Sequence, residues 1–260
     1  MIKLRRLFLR LQTVDIKLSR PDGRVDPGGR SFKFLINTLG QSYTTKSINP
    51  PSYGVVTWQS EGAEGGPYHR RKLHVPSSAS GLTIGRGYDL KQKPPATINS
   101  NLTLSHVSVG IATVLSKASK LHGDSAKKFI IENDLLDFEV STETQLALFK
   151  LSYEAETSEV KRICGKKGTV EGYGAVDWEN LDLNIKDVVI DLKFRGDYTP
   201  LSRKLIQKHI SNNDLKAVSE VMINKSNWPS VPVDRFNRRK KFLENIKVQT
   251  TIKKEGALAH

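Results

Sequence analysis

Ser80-Gly-Leu-Thr-Ile-Gly-Arg-Gly-Tyr-Asp-Leu90 is the stretch on which the fold turns. Gly85 and Gly87 flank a single arginine, and two glycines so placed let the chain fold tightly or let a ligand approach the backbone closely. Thr83 and Asp89 stand six positions apart across them. A hydroxyl and a carboxylate brought together by such a turn could hold one water between them.

The chain around this stretch divides into two textures. From residue 52 to about residue 93 it is rich in glycine, serine and β-branched residues, which predicts one short helix at 53–59 followed by loops and short strands. After Asn101 helical periodicity takes over. Helices are expected at 104–121, at 125–132, and from the capping-box pattern Thr142-Glu-Thr-Gln145 towards Ile163. Asn184 can cap a helix at 185–194 that Gly196 ends, and Asp214 and Asp234 can cap helices at 215–224 and 235–246. The fold class read from this pattern is α+β, mainly α. It places a small glycine-rich β lobe before a larger helical lobe, with a cleft between them suited to an extended polymer.

The 260 residues are enough to bury a sizeable core, and 37% hydrophobic content is ordinary for a globular chain. No apolar run reaches the roughly 20 residues of a membrane span. Arg5, Arg6 and Arg10 interrupt the opening apolar run, so it reads as an amphipathic helix and not as a signal peptide. The formal charge of +14 calls for an anionic partner, and nucleic acid and bacterial cell wall both qualify. No recognition helix or base-stacking pattern supports nucleic acid. Cys164 is the only cysteine, which leaves no intramolecular disulfide, and a small buried hydrophobe is the expected role.

The densest chemistry lies just upstream of the quoted stretch, in Trp58-Gln-Ser-Glu61-Gly-Ala-Glu64-Gly-Gly-Pro67, followed by His74-Val-Pro76. Glycosidic cleavage needs a carboxylic acid to protonate the leaving oxygen and a second group to activate water on the opposite sugar face. Glu61 and Glu64 end a short apolar helix, where Trp58 could shield one of them and favour its protonated form. Other chemistries fit less well. Gly85-Arg-Gly87 lacks the lysine and the third glycine of nucleotide-binding loops, and His69 and His74, five apart, match no standard metal-ligand set. Neither a metal nor any other cofactor is expected.

Glu64-Gly-Gly, His74-Val-Pro76 and the run from Ser80 to Leu90 together resemble the catalytic region of the pesticin family of muramidases, itself related to the T-even phage lysozymes. Asp191-Leu-Lys-Phe-Arg-Gly196 and Trp228-Pro-Ser-Val-Pro-Val-Asp-Arg-Phe-Asn-Arg-Arg239 are similar to late helices of phage-type lysozymes, so the resemblance spans roughly residues 52–246. It implies a lysozyme-like two-lobed fold and hydrolysis, with inversion, of the β-1,4 bond between N-acetylmuramic acid and N-acetylglucosamine. One glutamate would be the acid. Glu64 fits the Glu-Gly-Gly register, and Glu61 lies 22 residues before Thr83, the spacing nearer to pesticin-type enzymes. Thr83 and Asp89 would hold the attacking water, in the pesticin order and not the T-even one. His74 stands where the family usually has tyrosine. His74, Arg86, Tyr88, Trp228 and Arg235 are the candidates for substrate contact, with Arg238 and Arg239 as further cleft-lining cations.

The domain boundaries expected are an N-terminal helical segment at 1–46, a muramidase domain at 47–248 and a tail at 249–260. The turn-rich stretch at 20–30 and the short helix at 31–39 resemble the closing part of peptidoglycan-binding modules; a simple helical cap is the other possibility. The expected partner is peptidoglycan, met by a monomer secreted or delivered to the wall. Two alternatives stand beside hydrolysis: a lytic transglycosylase, whose reaction needs no held water, and a wall-binding protein without turnover.

Overall fold

The computed structural model describes residues 50–63 and 70–258, with side chains to residue 246. The expected N-terminal segment, with its likeness to a peptidoglycan-binding module, lies outside the described residues, as do Glu64 and His69. The decisive stretch forms a hairpin: β1 (Thr83–Ile84) pairs antiparallel with β2 (Tyr88–Asp89), Thr83 opposite Asp89 and Ile84 opposite Tyr88. Gly85 and Gly87 have φ of 60° and 93°, the left-handed region that only glycine enters without strain. Gly87 is needed twice over, because a Cβ there would lie 2.5 Å from the Phe194 ring. On the outer side of β1, His74 and Thr83 exchange both backbone hydrogen bonds, at 3.1 and 2.8 Å. Directly opposed residues share a face of a sheet. His74, Thr83 and Asp89 therefore stand in one row across three backbone runs.

Ten α-helices surround this hairpin among the described residues, and the domain is a mainly helical α+β structure. The first, α1 (Val55–Ser60), precedes it. Two helices, α2 (Pro95–Leu104) and α3 (Val109–Ser116), replace the single helix expected at 104–121. The chain turns between them at His106, which adopts φ 69°, so that Val107 can bond back to the Leu102 carbonyl. Proline at the first turn of α2 was a start signal left unused. Then come α4 (Gly123–Glu132) and the long α5 (Thr142–Cys164), whose cap is Ser141, one residue before the expected box.

The remaining helices are α6 (Lys167–Tyr173), α7 (Leu183–Arg195), α8 (Pro200–Ser211), α9 (Leu215–Ile223) and α10 (Val233–Leu258). Asp182, not Asn184, caps α7, and Gly196 ends it with φ 90° as expected. The expected tail is continuous with the last helix, because no proline or glycine breaks the chain before Gly256.

Two apolar clusters carry the packing. One gathers Leu82, Ile84, Tyr88 and Leu90 of the hairpin region against Ile98, Leu102, Leu115 and Ile130. The other gathers Trp58 of α1 with Val188, Val189, Ile206, Val218, Trp228 and Leu243. α5 serves both, Leu148 entering the first cluster and its neighbour Phe149 the second. No helix among the described residues is long and apolar enough to cross a membrane. Cys164 is buried as expected, beside the Tyr198 hydroxyl at 3.3 Å.

Candidate active site

Glu61 is the residue that follows α1, its amide bonded to the Thr57 carbonyl at 2.9 Å. What aims it is the last turn of that helix. Arg86, at the tip of the hairpin and 4% exposed, donates through Nη1 to the carbonyls of Trp58 and Gly62 and through Nε to Gln145 Oε1 at 3.3 Å. Its guanidinium also lies 4.1 Å over the Trp58 ring. Helix ends leave carbonyls without partners, and here the hairpin supplies the missing donor. The same contact brings Glu61 to the hairpin: a Cβ on Gly87 would be 3.9 Å from Glu61 Oε2. Gly87 stands two residues before Asp89. Glu61, Asp89, Thr83 and His74 thus converge on one region of the described structure.

The other side of Glu61 is an ion-pair network. Arg235 of α10 donates from Nη1 to Glu61 Oε1 at 2.6 Å, and its other nitrogens reach Asp191 at 2.6 and 3.4 Å. Asp191 of α7 is fully buried and also accepts from Thr57 Oγ1 at 2.9 Å and from Arg239 Nε at 2.6 Å. Arg239 continues to Asp197 at 3.2 Å, and Asp197 pairs with Arg195. Burial alone would raise the Asp191 carboxyl, but the charges and hydrogen bonds of Arg235 and Arg239 outweigh it and hold the group below the usual carboxylate range. Burial likewise opposes the Arg235 cation, and Asp191 and Glu61 more than offset it. The result is a partly buried carboxylate tethered by one oxygen, while Oε2 takes no hydrogen bond from the described residues.

Thr83 and Asp89 are braced into the hairpin more firmly than their expected role needs. Asp89 accepts backbone amides on both oxygens, from Gly81 at 3.1 Å and Lys91 at 2.7 Å. Thr83 is 4% exposed and donates to the Gly81 carbonyl at 3.3 Å. Lys93 bonds the Asp89 carbonyl at 2.9 Å, and burial lowers its pKa, against the pull of Asp89 and Glu156.

His74 is half-buried, with Nδ1 3.2 Å from the Lys72 carbonyl. Burial is the largest influence on it and Arg70 adds to it, so its pKa falls from 6.5 to about 4 although the Lys72 bond and Asp89 pull upward. It is a neutral imidazole at neutral pH. The depressed value has a stability consequence: the unfolded chain binds this proton in the window where the fold refuses it. Stability should therefore be full above pH 6.5 and decline as pH falls towards 4, by on the order of 2 kcal/mol. Urea unfolding of wild type and His74→Asn across this window checks it; the variant's profile should be flatter, and parallel profiles would refute the assignment.

Several residues expected at the substrate are inside the protein. Tyr88 is fully buried with its hydroxyl accepting from Asn101 at 2.9 Å, and Trp228 is buried with Nε1 donating to the Val221 carbonyl at 3.1 Å. Arg86 is committed to backbone carbonyls, Arg235 to two carboxylates and Arg239 to the buried network. Arg238 pairs with Asp234 on the outer side of α10 at 2.9 Å. Arg86, Arg235 and Arg239 brace Glu61 and its network from inside the protein, and the sequence expectation had been contact with substrate from the cleft wall. Asp191 went unnamed as a site residue. The signal was a carboxylate set between Val188-Val189-Ile190 and Leu192, against arginines four residues apart at 235 and 239.

The described geometry defines a class first: a mainly helical α+β domain in which a helix-end carboxylate meets a glycine hairpin carrying a hydroxyl and a second carboxylate. The chain belongs to the family described as Domain of unknown function (DUF8812), whose model matches residues 54–240 and so spans α1 through the start of α10. No curated protein matches the chain.

Proposed function

We propose that this protein is a peptidoglycan hydrolase of the muramidase type, built on a lysozyme-like two-lobed fold. The observation that carries the proposal is the meeting of Glu61, held by Arg235, with the hairpin on which Thr83 and Asp89 are directly opposed. Glu61 is the general acid. Arg235 fixes one oxygen and leaves Oε2 to deliver a proton to the glycosidic oxygen. Asp89, with Thr83 beside it, directs the water; each of its oxygens keeps a lone pair beyond the backbone amide it accepts. Two carboxylates acting through an intervening water give inversion, and require a separation of about 6.5–9.5 Å. The two apolar clusters joined by α5 support the two-lobed fold, and the net charge of +14 suits an anionic wall.

One observation favours a second reading, the lytic transglycosylase. The polar atoms of Thr83 and Asp89 are already engaged within the hairpin, as expected of a brace that holds no water. Digestion of purified peptidoglycan followed by mass analysis decides between them. Fragments ending in reducing muramic acid are expected; the anhydro form would assign the transglycosylase. Intact glycan after prolonged incubation would reject both and leave a wall-binding protein.

A further inference from the structure

At the opposite end of α1 from Glu61, a cavity of about 350 Å³ opens between α1, α5, α7 and α10. Tyr53, Tyr153, Trp178 and Phe242 wall it with aromatic rings, and Leu183 and Ile190 add aliphatic surface. Tyr53 and Tyr153 pack against each other with centroids 5.3 Å apart. Asp187 lines the same space. Its Oδ1 accepts from the Tyr153 hydroxyl at 2.5 Å and from the Gly54 amide at 2.9 Å. Among the described residues none donates a hydrogen bond to Oδ2, and no lysine, arginine or histidine pairs with Asp187. Asp191, the fully buried carboxylate one turn further along α7, has two guanidinium groups beside it. Here burial is the largest influence and raises the carboxyl pKa, as it does for an acid set among rings without a counter-ion.

The rest of the lining narrows the ligand. Lys186 turns its ammonium to the Glu179 carbonyl at 3.3 Å. The Thr157 hydroxyl donates to the Tyr153 carbonyl at 2.7 Å, and the Asn184 amide to Asp182 at 3.0 Å. Few polar side chains are left to read the hydroxyls of a sugar. An anion would meet the Asp187 carboxylate. A cation with an apolar periphery meets neither obstacle, because the faces of aromatic rings attract positive charge. Trp178 already illustrates this, with Lys161 Nζ 5.5 Å from its ring centroid.

We propose that this cavity binds a small organic cation, a quaternary or alkylated ammonium group, with the four aromatic rings enclosing its carbon substituents and Asp187 as its counter-ion. The cavity contains none of the residues assigned to glycan cleavage, so the site stands or falls independently of that activity.

Titration of the full chain with choline, followed by tryptophan fluorescence and by ligand-observed NMR, tests it. Saturable binding is expected below roughly 10 mM, and about tenfold weaker binding of the uncharged isostere in which carbon replaces nitrogen. Asp187→Asn keeps an acceptor for Gly54 and Tyr153 and should weaken choline about tenfold while leaving the isostere unchanged. Trp178→Leu, made away from the Asp187 hydrogen bonds, should weaken choline comparably and carries the test if Asp187→Asn fails to fold. No saturation, equal affinity for the isostere, or full choline affinity in both variants would overturn the proposal. So would saturable binding of an N-acetylglucosamine oligomer at this cavity in place of choline, which would make it a saccharide site.

Discussion

Replacing Asp191 by alanine should cost about 3–5 kcal/mol of stability, a large share of the 5–15 kcal/mol typical of a domain. The carboxylate is fully buried and is the common partner of Arg235, Arg239 and Thr57. Its removal leaves two guanidinium groups, 7% and 1% exposed, without their main counter-ion. Among the described residues Arg239 would keep one carboxylate partner, Asp197 at 3.2 Å, and its Nη1 is already buried without a hydrogen-bond partner. Removing one member of a buried pair is costly because the remaining charge has lost its hydration and gains nothing for it. Asp191→Asn should cost less, as it keeps an acceptor, while still losing the charge. Urea denaturation at neutral pH measures both. A change under 1 kcal/mol for Asp191→Ala would show that the network contributes little to the fold. The sign with pH follows from the depressed carboxyl: its contribution is complete above pH 3.8 and is lost as pH falls through the lower folded value.

Glu61→Gln should lower the rate of wall lysis by 10²- to 10⁴-fold, roughly the share that a general acid supplies, while leaving thermal stability close to wild type. Glutamine can still accept from Arg235 Nη1, so the tether survives and only the transferable proton is lost. Asp89→Asn and Thr83→Ala should also reduce turnover strongly. Asn at position 89 keeps an acceptor for one of the Gly81 and Lys91 amides and sets an NH2 donor against the other, so its melting temperature must be measured beside its activity. Glu64→Gln is the necessary companion, because the sequence offers both glutamates as candidates for the acid. Near-wild-type lysis by Glu61→Gln together with collapse in Glu64→Gln would move the acid to position 64. Substantial lysis in both would remove the acid mechanism altogether.

The double support of Glu61 separates these two experiments. Asp191 and Arg235 act through packing, and their loss should appear first in unfolding. Glu61 is held on one oxygen, and its loss should appear in turnover. An Arg235→Leu variant would unite the effects, since it removes both the tether of Glu61 and one of the two cations that satisfy Asp191.

Local chemistry was legible in the linear chain. Gly85 and Gly87 announced a tight reversal, and glycine takes the positive φ that both adopt without steric cost. The reversal sets Thr83 opposite Asp89, and a six-residue spacing across two glycines was enough to suggest it. Helical periodicity and caps located most of α4, α5, α7 and α9, because these depend on neighbours within a turn or two. Thr199-Pro200 and Pro95 are equally local start signals, for α8 and α2. What the tertiary structure alone decided is which polar side chains face inward. Arg86, Arg235 and Arg239 read in sequence as cations open to a cleft, since arginine is almost never fully buried unless paired. Their partners lie far along the chain: the Trp58 carbonyl for Arg86, Glu61 and Asp191 for Arg235, Asp191 and Asp197 for Arg239. No local pattern encodes a pairing between residues 61 and 235. It arises because α1, α7 and α10 bury their apolar faces in one cluster, and the charges carried at the edges of those faces are left to neutralise one another out of water.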